Sequence, residues 1–538
     1  MANSRWRHLI LAPFLICSLA ELRAQQNLST ATPVKHLVVI FPENISFDHY
    51  FGTYPVAANP PGEPVFKAEP KTPTVNGLNA TLLTHNPNRL NPDNGEGAMN
   101  PFRLDRSQAY TAGQSHGYRA EQLAFHDGLM DLFPKSVGKG NKVESASQSS
   151  PLNTTGLTMG YFDGNTVTAM WNYAQRFSLS DNSYGTNFGP STPGAINLVS
   201  GQTNGVTDIR NGKGGVTDGG NGSFTMIGDP DPSGDVCSAT TKMTAAMSGR
   251  NMGNMLNDAG VSWGWFSGGF DLTLKNPNGT TACGRSNASP ISGKVIKDYV
   301  PHHEPFQYYS STANPTHARP TSSGAIGKAA DSANHQYDVH DFYDAIQSGN
   351  FPAVSFLKPP GYQDAHAGSS NPLDEQTFVV HVLNFLQTRP EWKDTVVIIA
   401  YDDSDGWYDH QMGPILNQSA GATDALTGAG ACGRGDAALP GVDEGNVHAQ
   451  GRCGLGPRLP MLVLSPWAKR NFVDHTLTNQ ASIMVFIEDN WLKGKRLGQG
   501  SFDAISNSIA GMLDFESAPR MEPLILDEST GLPKSASR

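Results

Sequence analysis

Five unbroken apolar runs punctuate the chain, and each gives way to polar residues: His36–Phe41 (HLVVIF), Val261–Phe266 (VSWGWF), Ala353–Lys358 (AVSFLK), Thr395–Tyr401 (TVVIIAY) and Leu459–Ser465 (LPMLVLS). Continuous rather than alternating hydrophobicity predicts strands buried on both faces, as in a parallel sheet. Helical patterns lie between them. In Asp374–Trp392 (DEQTFVVHVLNFLQTRPEW), Phe378, Val382, Phe385 and Leu386 share one face, acidic residues open the segment and Pro390 lies near its end. A second such segment starts at Ser482 (SIMVFIEDNWL). This alternation predicts an α/β protein with a doubly wound, mostly parallel sheet and helices on both faces. In such sheets ligands bind beyond the carboxyl ends of the strands.

Three stretches interrupt the pattern: Asn59–Met99, Asn204–Gly234 and Gln411–Arg452, each rich in Gly, Pro, Asn or Asp. They predict long loops or insertions over the active-site face. The chain beyond about Asp514 is polar and predicts a frayed tail. The expected layout is a leader at 1–24, one catalytic domain at 34–515 and a tail at 516–538.

Composition narrows the class. Of 538 residues, 38% are hydrophobic and 16% charged, enough apolar material for a sizeable core. The net charge is -11 and no dense Lys/Arg run exists, which argues against a nucleic-acid or anionic-membrane partner. At the N-terminus, Arg5, Arg7 and His8 precede an apolar run, Leu9–Ala20, too short to span a bilayer, and Ala24 offers a cleavage site. This reads as a secretory signal, with a short membrane anchor as the alternative, and places the protein outside the cell or in the periplasm. No other stretch is long and apolar enough for a stable membrane span. Four cysteines remain beyond the leader, and the simplest pairing is Cys237–Cys283 and Cys432–Cys453. No CxxC or Cys/His spacing supports a zinc site instead.

Two of the apolar runs end in matching clusters. Glu43, Asn44, Ser46, Asp48 and His49 follow the first; Asp402, Asp403, Asp405, Asp409 and His410 follow the fourth. Crowded carboxylates repel unless a cation neutralises them, and Glu43, Asn44, Asp402 and Asp403 offer the hard oxygens a divalent metal binds. Calcium, zinc and magnesium all suit such a set. The bland alternative is that these aspartates only cap turns. Ser191 sits in FGPSTPGAINLVSG, stiffened by Pro190 and Pro193, before a helix expected from Gly194. It reads either as a nucleophile at a helix start that attracts phosphate or as a simple cap. His116 (SHGY), the pair His302 and His303 (VPHHEPFQYY) and His366 (GYQDAHAG) could contact phosphoryl oxygens or protonate a leaving group.

Taken in order, FPENISFDHYFG, SHGY, FGPSTPGAINL, HHEPFQYY, GYQDAHAG and AYDDSDGWYDH resemble the signature blocks of the bacterial acid phosphatase / phospholipase C phosphoesterase family, within the alkaline-phosphatase-like superfamily. The resemblance runs from about Val34 to Leu492. It implies that Glu43, Asn44, Asp402, Asp403 and Ser191 hold the metal, that Ser191 is the nucleophile, and that His116, His302, His303 and His366 surround the phosphoryl group. It further implies a phosphate ester substrate and a phosphoserine intermediate. Two features lean toward an acid phosphatase: Ser191 stands where phospholipase C members typically carry Thr, and the chain stops soon after the last block. The alternative is a phospholipase C with transient lipid contact, for which Trp263, Trp265 and Phe266 would form an exposed rim unless they are core. A third reading is a non-catalytic calcium- or surface-binding module that has kept the fold.

Overall fold

A computed structural model describes residues 29–141, 150–426, 432, 441–442 and 448–534. The expected leader, 1–24, lies outside the described residues.

All five apolar runs form strands of one eight-stranded sheet. In chain order its strands are β1 (His36–Ile40), β2 (Ser178–Ser180), β3 (Trp263–Ser267), β4 (Gln336–Asp338), β5 (Val354–Lys358), β6 (Thr395–Ala400), β7 (Met461–Leu464) and β8 (Phe472–Asp474). Their spatial order is β4-β3-β5-β1-β6-β7-β2-β8. β7 pairs antiparallel with both β6 and β2, and every other pair is parallel, so β7 alone runs against the rest. Every residue of β3, β5 and β6 is buried, as expected for strands covered on both faces. Trp263, Trp265 and Phe266 are wholly buried in β3 and pack on Phe306, Phe356 and Tyr337, so they are core and not a lipid-facing rim.

Register fixes what the strand ends deliver. Ile40 of β1 lies beside Leu357 of β5 and Ile399 of β6. Counting forward four residues on β1 and β6 brings Asn44 level with Asp403, and one on β5 brings Lys358 beside Phe41. The backbone confirms this level, with Ile45 N–H donating to the Asp403 carbonyl at 2.9 Å.

Five helices matter to the site: α1 (Phe47–Phe51), α2 (Tyr118–Phe125), α3 (Ser191–Ser200), α4 (Pro372–Gln387) and α5 (Ala481–Trp491). α4 follows its sequence signals. Asn371 caps it by accepting from Leu373 and Asp374 N–H, Pro372 opens it, Asp374 and Glu375 sit at its positive end, and it stops at Gln387 ahead of Pro390.

Two expectations change. Asn204–Gly234 is not a bare loop: Asn204–Arg210, Val216–Asp218, Phe224–Met226 and Asp231–Pro232 join Thr244–Met247 in a five-stranded sheet. Its longest strand buries only one residue in seven, so no apolar period marked it. Nor do the described residues of the tail fray. Leu526 is fully buried, and side chains of α4 hold the strap: Asn384 pairs with both backbone groups of Leu526 at 2.8 and 3.1 Å, and Gln387 with both of Leu524 at 3.0 and 2.7 Å. These amides act as an adjoining strand would, which a count of polar residues does not reveal. The Cys237–Cys283 and Cys432–Cys453 disulfides both form, with Cα atoms 5.2 and 5.5 Å apart.

Candidate active site

β1 leaves the sheet and turns at Asn44, whose φ of +69° is a left-handed conformation that Asn tolerates. The turn sends Asn44 toward the end of β6. There Asp402 Oδ1 accepts N–H groups from Asn44 and Asp403 at 3.1 and 2.8 Å. The chain after Asp403 curls through left-handed Asp405 and Gly406, so that Asp405 N–H donates to Asp403 Oδ1 at 2.7 Å.

The helix expected from Gly194 begins at Ser191 itself, with Pro190 as its cap residue. A side chain at Gly194 would collide with the Asp402 backbone, so glycine lets α3 press against the end of β6. Ser191 is 2% exposed, and its Oγ donates to Asp403 Oδ2 at 3.1 Å, with Asn44 Oδ1 at 3.5 Å. Thus the structure gathers Asn44, Ser191, Asp402 and Asp403 into one buried group, and Ser191 does not cap its helix through its side chain.

The histidines divide. His116 Nδ1 lies 2.9 Å from Asp405 Oδ1, and its ring is 6.2 Å from that of His366. Burial works against its charge, but Asp403 and Asp405 outweigh it and raise its pKa well above the ordinary value. His366 Nδ1 lies 2.7 Å from the Ala367 carbonyl. His303 Nδ1 is 2.6 Å from Glu43 Oε1, yet burial lowers its pKa to about 3 despite that carboxylate. In this close contact, burial of the ring opposes the pull of the carboxylate. His302 faces outward from this group: its Nδ1 is 3.6 Å from Asp231 Oδ1, and its carbonyl accepts from Thr192 Oγ1 at 3.3 Å.

Several participants were not singled out from sequence. Lys358, the last residue of β5, is buried with Nζ 2.7 Å from Glu43 Oε1 and 3.4 Å from Asp402 Oδ2. A lysine closing an otherwise apolar run was the available signal. Burial penalises the Glu43 carboxylate, but His303 and Lys358 overcome this and hold its pKa well below the usual range. Asp364 accepts Glu43 N–H through its carbonyl at 2.7 Å, and burial pushes its own carboxyl up. Glu121 of α2 bridges two segments of the candidate site: Oε2 accepts Gly189 N–H, two residues before Ser191, and Oε1 accepts Ser404 Oγ, both at 2.9 Å. Asp229, in the connection between Phe224–Met226 and Asp231–Pro232 of the inserted sheet, accepts Thr192 N–H at 2.9 Å.

The residues fit a divalent cation. Glu43 Oε2 is buried and accepts no hydrogen bond among the described residues. Burial pushes the Asp402 and Asp403 carboxyls well above their ordinary pKa. A cation among these oxygens would resolve both tensions. Glu43, His303 and Asp364 also bring ligand atoms within 4.8 Å of one another.

Residues 34–492 match the family model described as "Phosphoesterase family". The chain is 22% identical over 489 residues to a non-hemolytic phospholipase C of Pseudomonas aeruginosa, covering 89% of this chain and 57% of that one. It is 25% identical over 487 residues to the non-hemolytic phospholipase C of Burkholderia pseudomallei, covering 89% and 58%. Against phospholipase C A of Mycobacterium tuberculosis it is 23% identical over 454 residues, covering 81% and 69%. This chain thus spans under two thirds of the first two relatives. Among solved structures, murine ectonucleotide pyrophosphatase / phosphodiesterase 5 aligns with a TM-score of 0.29 at 10% identity, over 65% of this chain and 95% of that one. The fold assignment rests on strand order and register, not on that likeness.

Proposed function

The chain belongs to the phosphoesterase family, and from that premise we propose that it hydrolyses phosphoric esters with Ser191 as the nucleophile. One observation carries this: Ser191 Oγ, at the first residue of a helix, meets Asp403 Oδ2 at 3.1 Å inside a buried carboxylate group. A bland cap serine would instead bond its own helix. Ser191 Oγ attacks phosphorus while its proton passes toward Asp403 Oδ2, and the bond from phosphorus to the ester oxygen breaks. His116, kept protonated by its aspartates, is suited to give a proton to the leaving oxygen. Water then displaces Ser191 from the phosphoserine, releasing phosphate. A divalent cation held by Asn44, Ser191, Asp402 and Asp403, with Glu43 beside them, would supply Lewis-acid stabilisation of the phosphoryl charge and a lowered Ser191 pKa. Calcium, zinc and magnesium remain the choices.

The test is covalent trapping. An acid quench during turnover of p-nitrophenyl phosphate, followed by mass spectrometry, is expected to find phosphate on Ser191 in the peptide Gly189–Leu198, and Ser191→Ala is expected to lose it with nearly all turnover. Phosphate on Thr192, or full turnover in Ser191→Ala, would overturn the assignment.

The acid phosphatase reading keeps Ser191 in its favour. The phospholipase C reading is favoured by the names of the relatives. The buried tryptophans remove one lipid-contact surface that it could have used. Parallel assays on p-nitrophenyl phosphate and phosphatidylcholine separate the two, and activity on neither would favour a binding module. Export through the leader at 1–24 is consistent with two disulfides. No helix among the described residues is long and apolar enough to cross a membrane.

A further inference from the structure

We infer that Lys358 is a built-in cation that takes the place of a second metal ion, limiting the carboxylate cluster to one divalent ion on the Asn44–Ser191–Asp403 side. The inference rests on the metal reading above and goes beyond it. By ligand type alone, two cation sites could be drawn. One is the group around Ser191. The other is Glu43, His303 and Asp364, whose ligand atoms converge within 4.8 Å.

Lys358 stands at the second. Its side chain is 2% exposed, it comes from β5 on one side of β1, and it reaches both Glu43 after β1 and Asp402 after β6. Its ammonium lies 2.7 Å from Glu43 Oε1 and 3.4 Å from Asp402 Oδ2, with the Phe41 ring beneath it at 5.5 Å. A metal ligand bond to oxygen is roughly 2.0–2.6 Å. An ion on the same Glu43 oxygen would therefore sit within about 5 Å of the ammonium, two like charges in a buried pocket. Asp402 is shared: Oδ1 accepts two backbone N–H groups and Oδ2 faces Lys358, so it can serve the lysine and the first ion but has no oxygen left for a second. Asp403 is different. The leading opposite charge acting on it is His116, and its Oδ2 faces the Ser191 hydroxyl. That side is left for the one ion.

The experiment counts ions without measuring activity. Full-length protein is stripped with chelator, dialysed against Zn2+, and analysed by plasma mass spectrometry, with Ca2+ and Mg2+ in parallel. Wild type is expected to bind one equivalent. Lys358→Met, similar in length but uncharged, is expected to bind two, and adding His303→Ala should return the count to one. Lys358→Arg retains the charge and is expected to stay at one. Two equivalents in wild type would overturn the inference, and so would one equivalent in a folded Lys358→Met. Should Lys358→Met fail to fold, the wild-type and Lys358→Arg counts still decide, because two in either refutes it. No ion with any of the three metals would refute the metal reading itself, a separate outcome from two.

Discussion

Arg458 is the residue whose loss the fold should tolerate least. It is fully buried, and its guanidinium joins the segments that follow β1 and β6. Nη2 meets Asp48 Oδ1 of α1 at 3.0 Å, Nε meets Asp409 Oδ2 at 3.1 Å, and Nη1 donates to the Asn76 and Asp181 carbonyls at 2.7 and 3.0 Å. Its plane lies over the Phe47 ring at 4.3 Å. Arg458→Met would strip the guanidinium from two buried carboxylates and two backbone carbonyls. Breaking one partner out of a buried charged network costs about 3–5 kcal/mol. His410 tempers this, since its Nδ1 is 2.6 Å from Asp48 Oδ2 and its raised pKa keeps it protonated in mild acid. The loss should therefore sit near ~3 kcal/mol at mildly acidic pH and near ~5 kcal/mol where His410 is neutral. Urea unfolding followed by tryptophan fluorescence reads this as a fall in midpoint at constant slope, and unfolding rates serve if the protein does not refold. Arg458→Lys, with a point charge in place of a fork, should fall between. Adding Asp48→Asn to Arg458→Met should recover part of the loss, because one stranded charge is then gone. A loss below about 1 kcal/mol, or no recovery in the double variant, would refute the claim that this ion network holds the two strand ends together.

Other outcomes follow from the same contacts. His410 has a raised pKa, so its contribution to stability is complete below its ordinary value of 6.5 and is lost as pH rises through the raised value; Asp48, held low, contributes fully above 3.8 and loses this as pH falls. Unfolding free energy should thus decline on the alkaline side, and Asp48→Asn should flatten that decline in a pH series of urea melts. Glu121, whose pKa burial pushes up to about 8, spaces the Ser191 turn from the Asp403 loop. Glu121→Ala should cut kcat by about 100-fold with little change in KM, and Glu121→Gln should restore much of it; equal loss in both would deny it a positioning role. Leu526→Ala should cost about 2–4 kcal/mol in the same melts, whereas a frayed tail would register almost nothing.

How far the fold could be read in advance depended on strand length and on burial. β1, β3, β5, β6 and β7 each bury a run of four to six residues, and such runs are visible as unbroken apolar sequence. β2, β4 and β8 are three residues long and include Ser178, Ser180, Gln336, Asp338 and Asp474, so no pattern could form. They exist because neighbouring strands supply hydrogen-bond partners, a tertiary cause that no local window contains. The antiparallel course of β7 was equally hidden, since an apolar run carries no direction. The inserted sheet and the C-terminal strap depend on partners far along the chain, Asn384 with Leu526 being the clearest case.

The candidate site shows the same division, and charge explains it. Glu43, Asn44, Asp402 and Asp403 were legible because acidic residues placed just after buried strands break the expected pattern, and register alone then brings Asn44 level with Asp403. Lys358 broke the pattern equally, yet a lone lysine at a strand end has an ordinary solvent-facing explanation, and only the fold shows it turned inward across β1. Glu121 carried no signal at all, because in sequence it is one acid in the first turn of an amphipathic helix. The asymmetry has a physical origin. An anion needs its neutralising partner close by, so clustered acids announce a cation, but sequence does not say whether that cation is an ion from solution or a side chain from the next strand. In this site both answers apply to adjacent carboxylates: Lys358 serves Glu43 and Asp402, while Asp403, beside the Ser191 hydroxyl, remains the place where an added ion has most to neutralise.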